Sequence, residues 1–195
     1  MSTGPDSYTK SAKKAGYPAR SVFKLIEMQK KYGIIKKGDQ LLDIGAAPGS
    51  WSIYIIKEFK SSVKVVGVDL KELKLDKSKG GSFFFIQGDI YEEDIYTRIK
   101  ERGPYNVILS DAAPSTTGDR LVDTSRSYDL SLRIINIAKN ILLGGGNLVI
   151  KIFQGGDEKK ILEMLKKLFK WVKAFKPVAS RKKSMEIYYI GINFR

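Results

Sequence analysis

The sequence predicts an α/β fold: a doubly wound, mostly parallel sheet with helices on both faces. Three observations predict it. Short β-branched apolar runs alternate with longer segments whose apolar residues recur at helical spacing. Helices of that length between strands are what parallel pairing requires. The first run, LLDIG, ends in the tight turn GAAPG, where ligand loops sit in such sheets. Lys176 to Glu186 leaves room only for a loop, so the last two strands should pair antiparallel.

Taken in order, Ser21–Tyr32 reads as a helix, with Val22, Leu25, Ile26 and Met28 on one face. Gln40–Ile44 reads as a buried strand, followed by the turn and a helix over Ser50–Phe59. Strands follow at Val63–Asp69 and Phe83–Gln87, then a helix over Glu92–Glu101. The pattern repeats with strand Tyr105–Ser110, helix Ser127–Leu143, strand Asn147–Phe153 and helix Asp157–Phe169. Trp171–Lys176 and Glu186–Phe194 complete seven strands. No internal repeat is visible, and 195 residues suit a single domain spanning 1–195, with 1–38 a basic N-terminal extension and helix.

Composition narrows the chemistry. With no Cys there are no disulfides, and with no His there is no His base, His-containing triad or ordinary zinc site; no metal is expected. No apolar run reaches the roughly 18 residues of a membrane span. The N-terminus MSTGPDSYTKSAKKAGYPAR lacks the apolar stretch of a secretory signal, so a cytoplasmic protein is expected. Nothing demands more than a monomer. The net charge is +14. Residues 1–40 hold nine Lys and Arg against three Asp and Glu, residues 41–156 hold 15 against 14, and residues 157–195 hold 11 against four. A nearly neutral middle between two basic ends fits a ligand-binding core that carries a polyanion-binding surface; a Lys-rich solvated surface is the plainer explanation.

Ligands in such sheets bind beyond the carboxyl ends of the strands. Those ends carry Asp43 and Gly45, Asp69, Asp89 and Asp111, with Lys151 in or near the end of LVIKIF. A dinucleotide loop would read G-x-G-x-x-G and offer its amides to a pyrophosphate. Here Pro48 removes an amide, and the carboxylates would repel phosphate. The set suits a cationic, phosphate-free ligand with hydroxyl and amino donors, which favours S-adenosylmethionine over NAD. Asp69, 24 residues beyond Gly45, stands where a second-strand acid accepts from ribose hydroxyls. Asp89 is placed for the adenine amino group, Gly49 lets the backbone approach the methionine portion, and Trp51 packs near it. Each Asp singly is as readily a turn or cap residue; their convergence on one rim carries the reading.

Methyl transfer from a sulfonium asks for alignment and a dry pocket, and a hydroxyl acceptor also needs a base. Without His, the candidates are Lys151, Asp111, Glu186 and Lys24. A lysine serves only where its neutral form is accessible, through burial or a second cation. Lys151, between Ile150 and Ile152 in an expected central strand, meets that condition. Pairing with Asp111 merely to satisfy the core is the alternative.

Along nearly its whole length the chain resembles the FtsJ/RrmJ type of heat-shock ribosomal RNA ribose 2′-O-methyltransferases. The stretches that carry the resemblance are YPARSVFKLIEM, LLDIGAAPGSWS, VVGVDL, IQGDI, LSDAAPSTTG, LVIKIFQG and SMEIYYIG, in matching order and spacing. It implies a Rossmann-like S-adenosylmethionine-dependent methyltransferase fold, a seven-stranded sheet with an antiparallel last strand. It also implies a Lys-Asp-Lys-Glu tetrad at Lys24, Asp111, Lys151 and Glu186, with Lys151 as general base. The implied donor-binding positions are Gly49, Trp51, Asp69, Asp89 and Asp111, beside Gly45 in the turn. Ser50 stands where such sequences often carry Gly.

The implied acceptor is RNA: a ribose 2′-hydroxyl, expected on a uridine of large-subunit (23S-type) ribosomal RNA. Transfer RNA methylation and a non-catalytic RNA-binding assembly factor are the alternatives. Lys10, Lys13, Lys14, Arg20, Lys30 and Lys31, with Arg181, Lys182 and Lys183, are expected to meet phosphates. Tyr8, Tyr17 and Phe23 offer stacking surfaces, although core packing is the stronger expectation for Phe23.

Overall fold

The structure is a computed structural model that describes residues 7–73, 75, 82–181 and 184–195. Lys182 and Lys183 lie outside the described residues. Among the described residues seven strands form one sheet in the order β3-β2-β1-β4-β5-β7-β6. They are β1 Gln40–Ile44, β2 Lys64–Asp69, β3 Ser82–Gln87, β4 Tyr105–Ser110, β5 Leu142–Phe153, β6 Phe169–Phe175 and β7 Glu186–Phe194. The first five pair in parallel, whereas β7 runs antiparallel to both of its neighbours. The expected sheet and its reversed last strand are therefore present.

Two hydrophobic cores cover the two faces. Alternate strand residues such as Leu42, Ile108 and Ile150 face α4 (Glu93–Glu101), α5 (Arg120–Ile141) and α6 (Glu158–Leu168). The intervening Leu41, Leu109 and Val149 face α1 (Ser7–Lys14), α2 (Val22–Tyr32) and α3 (Ser50–Phe59). Lys151 is two residues beyond Val149, so the pleat turns it towards the α1–α3 side. Glu186 and Tyr188 share that side, because Tyr188 and Ile190 belong to the same core as Val149.

Three elements differ from the sequence expectation. Helix α1 was not expected: SYTKSAKK buries only Ala12, so no apolar stripe announces it. Helix α5 begins at Arg120 instead of Ser127, because Asp119 caps it by accepting from the amides of Leu121 and Val122, an interaction of about 1 kcal/mol. Strand β5 begins at Leu142 instead of Asn147 and takes in Gly144–Gly146.

The strand order reverses between β1 and β4, whose ends pair Ile44 with Ser110. A crevice at such a reversal is where ligands enter, and the turn after β1 meets the end of β4 there.

Candidate active site

The turn 45–49 is built so that its amides are consumed internally. The N–H groups of Gly45 and Ala46 both donate to the Val68 carbonyl, at 2.8 and 3.1 Å, that of Ala47 to Asp69 Oδ2 at 2.9 Å, and that of Gly49 to the Ala46 carbonyl at 2.7 Å. Pro48 has none to give. Each donor already has an acceptor, so this is no phosphate loop. Gly45 adopts φ +79°, and a Cβ there would lie 2.7 Å from the Ala112 backbone. The β1 turn and the β4 tip approach this closely only because the residue is glycine.

Beside that turn lies a cleft of about 490 Å³, lined among others by Gly45, Asp69, Asp89, Asp111 and Leu130. Asp69 is held by two amides, those of Ala47 and Lys71, and Asp89 by that of Tyr91. Three carboxylates on one cleft and a loop without free amides fit a cationic, phosphate-free ligand with hydroxyl or amino donors. Gly49 and Trp51 stand elsewhere. Gly49, at φ +102°, is the N-cap of α3, with Leu73 and Leu75 against it. The buried Trp51 indole donates to the Ser21 carbonyl at 2.8 Å and packs 6.1 Å from the Tyr188 ring.

The cleft opens onto a cluster of charged side chains through Asp111. Lys151 Nζ is 3.0 Å from Asp111 Oδ1 and donates to the Asp111 carbonyl at 2.5 Å. On the other side Lys24 Nζ is 2.6 Å from Glu186 Oε1 and 4.0 Å from Asp111 Oδ1. Lys24 and Glu186 are buried. A buried charge needs a partner of opposite sign, and this alternation of two cations and two anions supplies one to each. All four residues of the expected tetrad are thus brought together.

Sequence reasoning missed a fifth member. The Tyr188 hydroxyl donates to Asp111 Oδ1 at 2.6 Å, and its ring lies 5.6 Å from Lys24 Nζ. Burial first, then the charges of Asp111 and Glu186, hold this hydroxyl well above the ordinary tyrosine range, so it remains a donor. The signal was present: Tyr188 is two residues beyond Glu186, so both face one side of β7. A further carboxyl, Asp43, is buried under the site and accepts from Ser52 Oγ at 2.6 Å.

The basic ends meet at this rim. Ser50 Oγ accepts from the Ala19 amide at 2.8 Å and donates to its carbonyl at 3.1 Å, tying the segment before α2 to the start of α3. The departure from glycine at Ser50 thus gains a structural role. Arg20 donates to the Ala179 carbonyl, and Glu27 accepts from the amides of Val178 and Ala179 at 2.8 and 2.9 Å. Val178 and Ala179, which follow β6, are thereby fixed to α2. Burial and then Arg181 lower the Arg20 guanidinium's hold on its proton, against the pull of Glu186. Tyr8 lies 5.6 Å from Phe23 and under Arg20, whereas Tyr17 packs beneath Lys57 at 4.5 Å. Among the described residues no group of three or more acidic side chains is arranged to hold a metal ion, and no helix is long and apolar enough to cross a membrane.

Comparison with known proteins bears out the resemblance. The model of the FtsJ-like methyltransferase family matches residues 17–194. The ribosomal RNA large subunit methyltransferase E of Borrelia garinii subsp. bavariensis is 48% identical over 189 residues, 97% of this chain and 96% of its own length. Its namesake from Treponema denticola is 45% identical over 191 residues, 98% of this chain and 96% of its own. Among solved structures, a protein from Plasmodium falciparum assigned as a ribosomal RNA methyltransferase superposes with a TM-score of 0.80 at 32% identity, covering 91% of this chain and 98% of that one. A family model that begins at Tyr17 and ends one residue short of the C-terminus leaves no part of the cleft or the charged cluster outside it, and the chain belongs to the FtsJ-like methyltransferase family.

Proposed function

We propose that the protein transfers the methyl group of S-adenosylmethionine to the 2′-hydroxyl of a uridine ribose in large-subunit ribosomal RNA. The observation that carries this reading is the position of Asp111, which lines the cleft and holds Lys151 at 3.0 Å. Donor site and base are thereby joined through one side chain. When bound, S-adenosylmethionine supplies an electrophilic methyl group on a sulfonium. The carboxylates of Asp69 and Asp89, which line the cleft, would accept from its ribose hydroxyls and adenine amino group. Gly45 keeps the turn close to the β4 tip, and Gly49 and Trp51 belong to the start of α3, which follows that turn.

At the acceptor, Lys151, once it has released its own proton to solvent, takes the proton of the 2′-hydroxyl, and Asp111 stabilises the ammonium so formed. Tyr188 fixes the Asp111 carboxylate by its 2.6 Å hydrogen bond. Lys24, anchored by Glu186 at 2.6 Å, orients the ribose and keeps a second cation near the base. A non-catalytic RNA-binding factor would have no use for four charged residues assembled in this way. The protein acts on ribosomal RNA in the cytoplasm, as a monomer.

The test uses S-adenosylmethionine with a tritiated methyl group and, in separate reactions, large-subunit ribosomal RNA and transfer RNA from cells lacking the modification. Label should appear in 2′-O-methyluridine after complete nuclease digestion. Label on a base, label in transfer RNA alone, or none at all would overturn the reading.

A further inference from the structure

The sheet edge remote from the donor cleft carries a surface that neither the donor site nor the charged cluster explains. Strand β6 is the outermost strand on that side. Trp171, 38% exposed there, lies 5.4 Å from the ring of Tyr32 in the last turn of α2, and Tyr32 lies 5.5 Å from Phe175. Lysines sit over these rings: Lys31 Nζ at 5.0 Å from Phe175 and 5.5 Å from Tyr32, and Lys173 Nζ at 5.7 Å from Trp171. No Asp or Glu occurs between Glu163 and Glu186, a stretch with eight Lys and Arg.

Lysines on an edge strand commonly guard against edge-to-edge pairing. That accounts for Lys170 and Lys173 but not for an indole left open between them, since a guarded edge gains nothing from exposed aromatic area. Rings interleaved with cations are what single-stranded RNA requires: a π-face for a base and positive charge for the phosphates beside it. The patch is also continuous with the catalytic rim. Phe175 pairs in register with Tyr188, which bonds Asp111. Trp171 lies four residues further along β6, about 13 Å away.

We propose that this edge, β6 with the last turn of α2, is a second RNA-docking surface that stacks one unpaired base on Trp171 and takes the flanking phosphates on Lys31 and Lys173. The surface rests on the reading of RNA as the substrate, and it holds the substrate beside the target nucleotide while the target ribose reaches Lys151.

The test compares the wild type, Trp171→Ala and Trp171→Phe on protein-free large-subunit ribosomal RNA and on assembled large subunits. Trp171→Ala should raise KM for RNA about tenfold, the scale of one lost base–aromatic stack, with KM for S-adenosylmethionine unchanged. Trp171→Phe should restore most of the loss, because a smaller ring still stacks. Tryptophan fluorescence gives a second readout that survives poor folding of the alanine variant. Trp51 is only 3% exposed, so RNA should quench the emission of Trp171, and Trp171→Phe should abolish that quenching. A wild-type KM in Trp171→Ala, or quenching that persists in Trp171→Phe, overturns the proposal. A defect confined to assembled ribosomal subunits would assign the surface to a protein partner and overturn it as well. If the wild type neither binds nor methylates RNA, the substrate reading has failed instead.

Discussion

The Tyr188 hydroxyl and Lys151 Nζ meet on one atom, Asp111 Oδ1, at 2.6 and 3.0 Å. A single carboxylate oxygen therefore sets where Lys151, the proposed base, stands, and a protonated phenol holds that oxygen in place. Replacing Tyr188 by Phe keeps the ring against Trp51 and removes only this bond to a charged acceptor, worth about 1.5–3 kcal/mol. Single-turnover methyl transfer should slow about tenfold or more, while the affinity for S-adenosylmethionine stays at the wild-type value. An unchanged rate would mean that Asp111 needs no such support.

Removing the proposed base itself should have a larger and more selective effect. Lys151→Ala should lower the methyl-transfer rate by about 10²–10⁴-fold, the range of positioned proton transfer. Calorimetry should still detect S-adenosylmethionine binding, because Asp69 and Asp89 remain in the cleft. Lys151→Arg should be equally inactive, since a guanidinium keeps its proton at any working pH. Activity in the arginine variant would remove Lys151 from the role of base.

Asp43 gives the protein a pH dependence of a distinct origin. Burial, then the charges of Asp111 and Asp69, push its carboxyl from 3.8 up to about 7, against the pull of the Ser52 hydrogen bond. Between about pH 4 and pH 7 the folded protein thus holds a proton that the unfolded chain has lost. Stability conferred by that proton falls as pH rises through this window and stays lower above it. Asp43→Asn cannot ionise yet still accepts from Ser52, so its urea unfolding midpoint should be flatter from pH 5 to pH 8 and should exceed the wild type at pH 8. Equal slopes in the two proteins would show that another group controls the dependence.

What the sequence made legible follows from where the signals are local. Strands β1, β4 and β7 and helix α3 lie at the expected residues, because apolar runs bounded by Gly, Pro or polar turns specify them without outside help. Lys24 and Glu186 are different: 162 residues separate them, and their contact depends on α2 docking against β7. The motif resemblance supplied that pairing; periodicity did not. Helix α1 was illegible because its support is tertiary, Ala12 in the core and Tyr8 against Phe23. The Trp51 indole donates to the Ser21 carbonyl, a partner the sequence did not show. Partners for a buried N–H depend on which loop arrives, and the sequence does not show that.

The two basic ends should make RNA binding steeply dependent on salt. Lys13 and Lys14 occupy the last turn of α1, and α1 precedes the segment that Ser50 anchors and Arg20 joins to the loop between β6 and β7. Both ends therefore sit on the rim that the ribose must reach. Each phosphate neutralised on a single strand contributes a slope of about −0.7 to log K against log salt. If Lys10, Lys13 and Lys14 each meet one phosphate, changing all three to Gln should reduce the slope by about 2, with a smaller fall in affinity at high salt. The S-adenosylmethionine affinity of that variant should not move, since none of the three lines the cleft. A slope identical to the wild type would place the RNA away from α1 and leave the β6–β7 side to carry its phosphates.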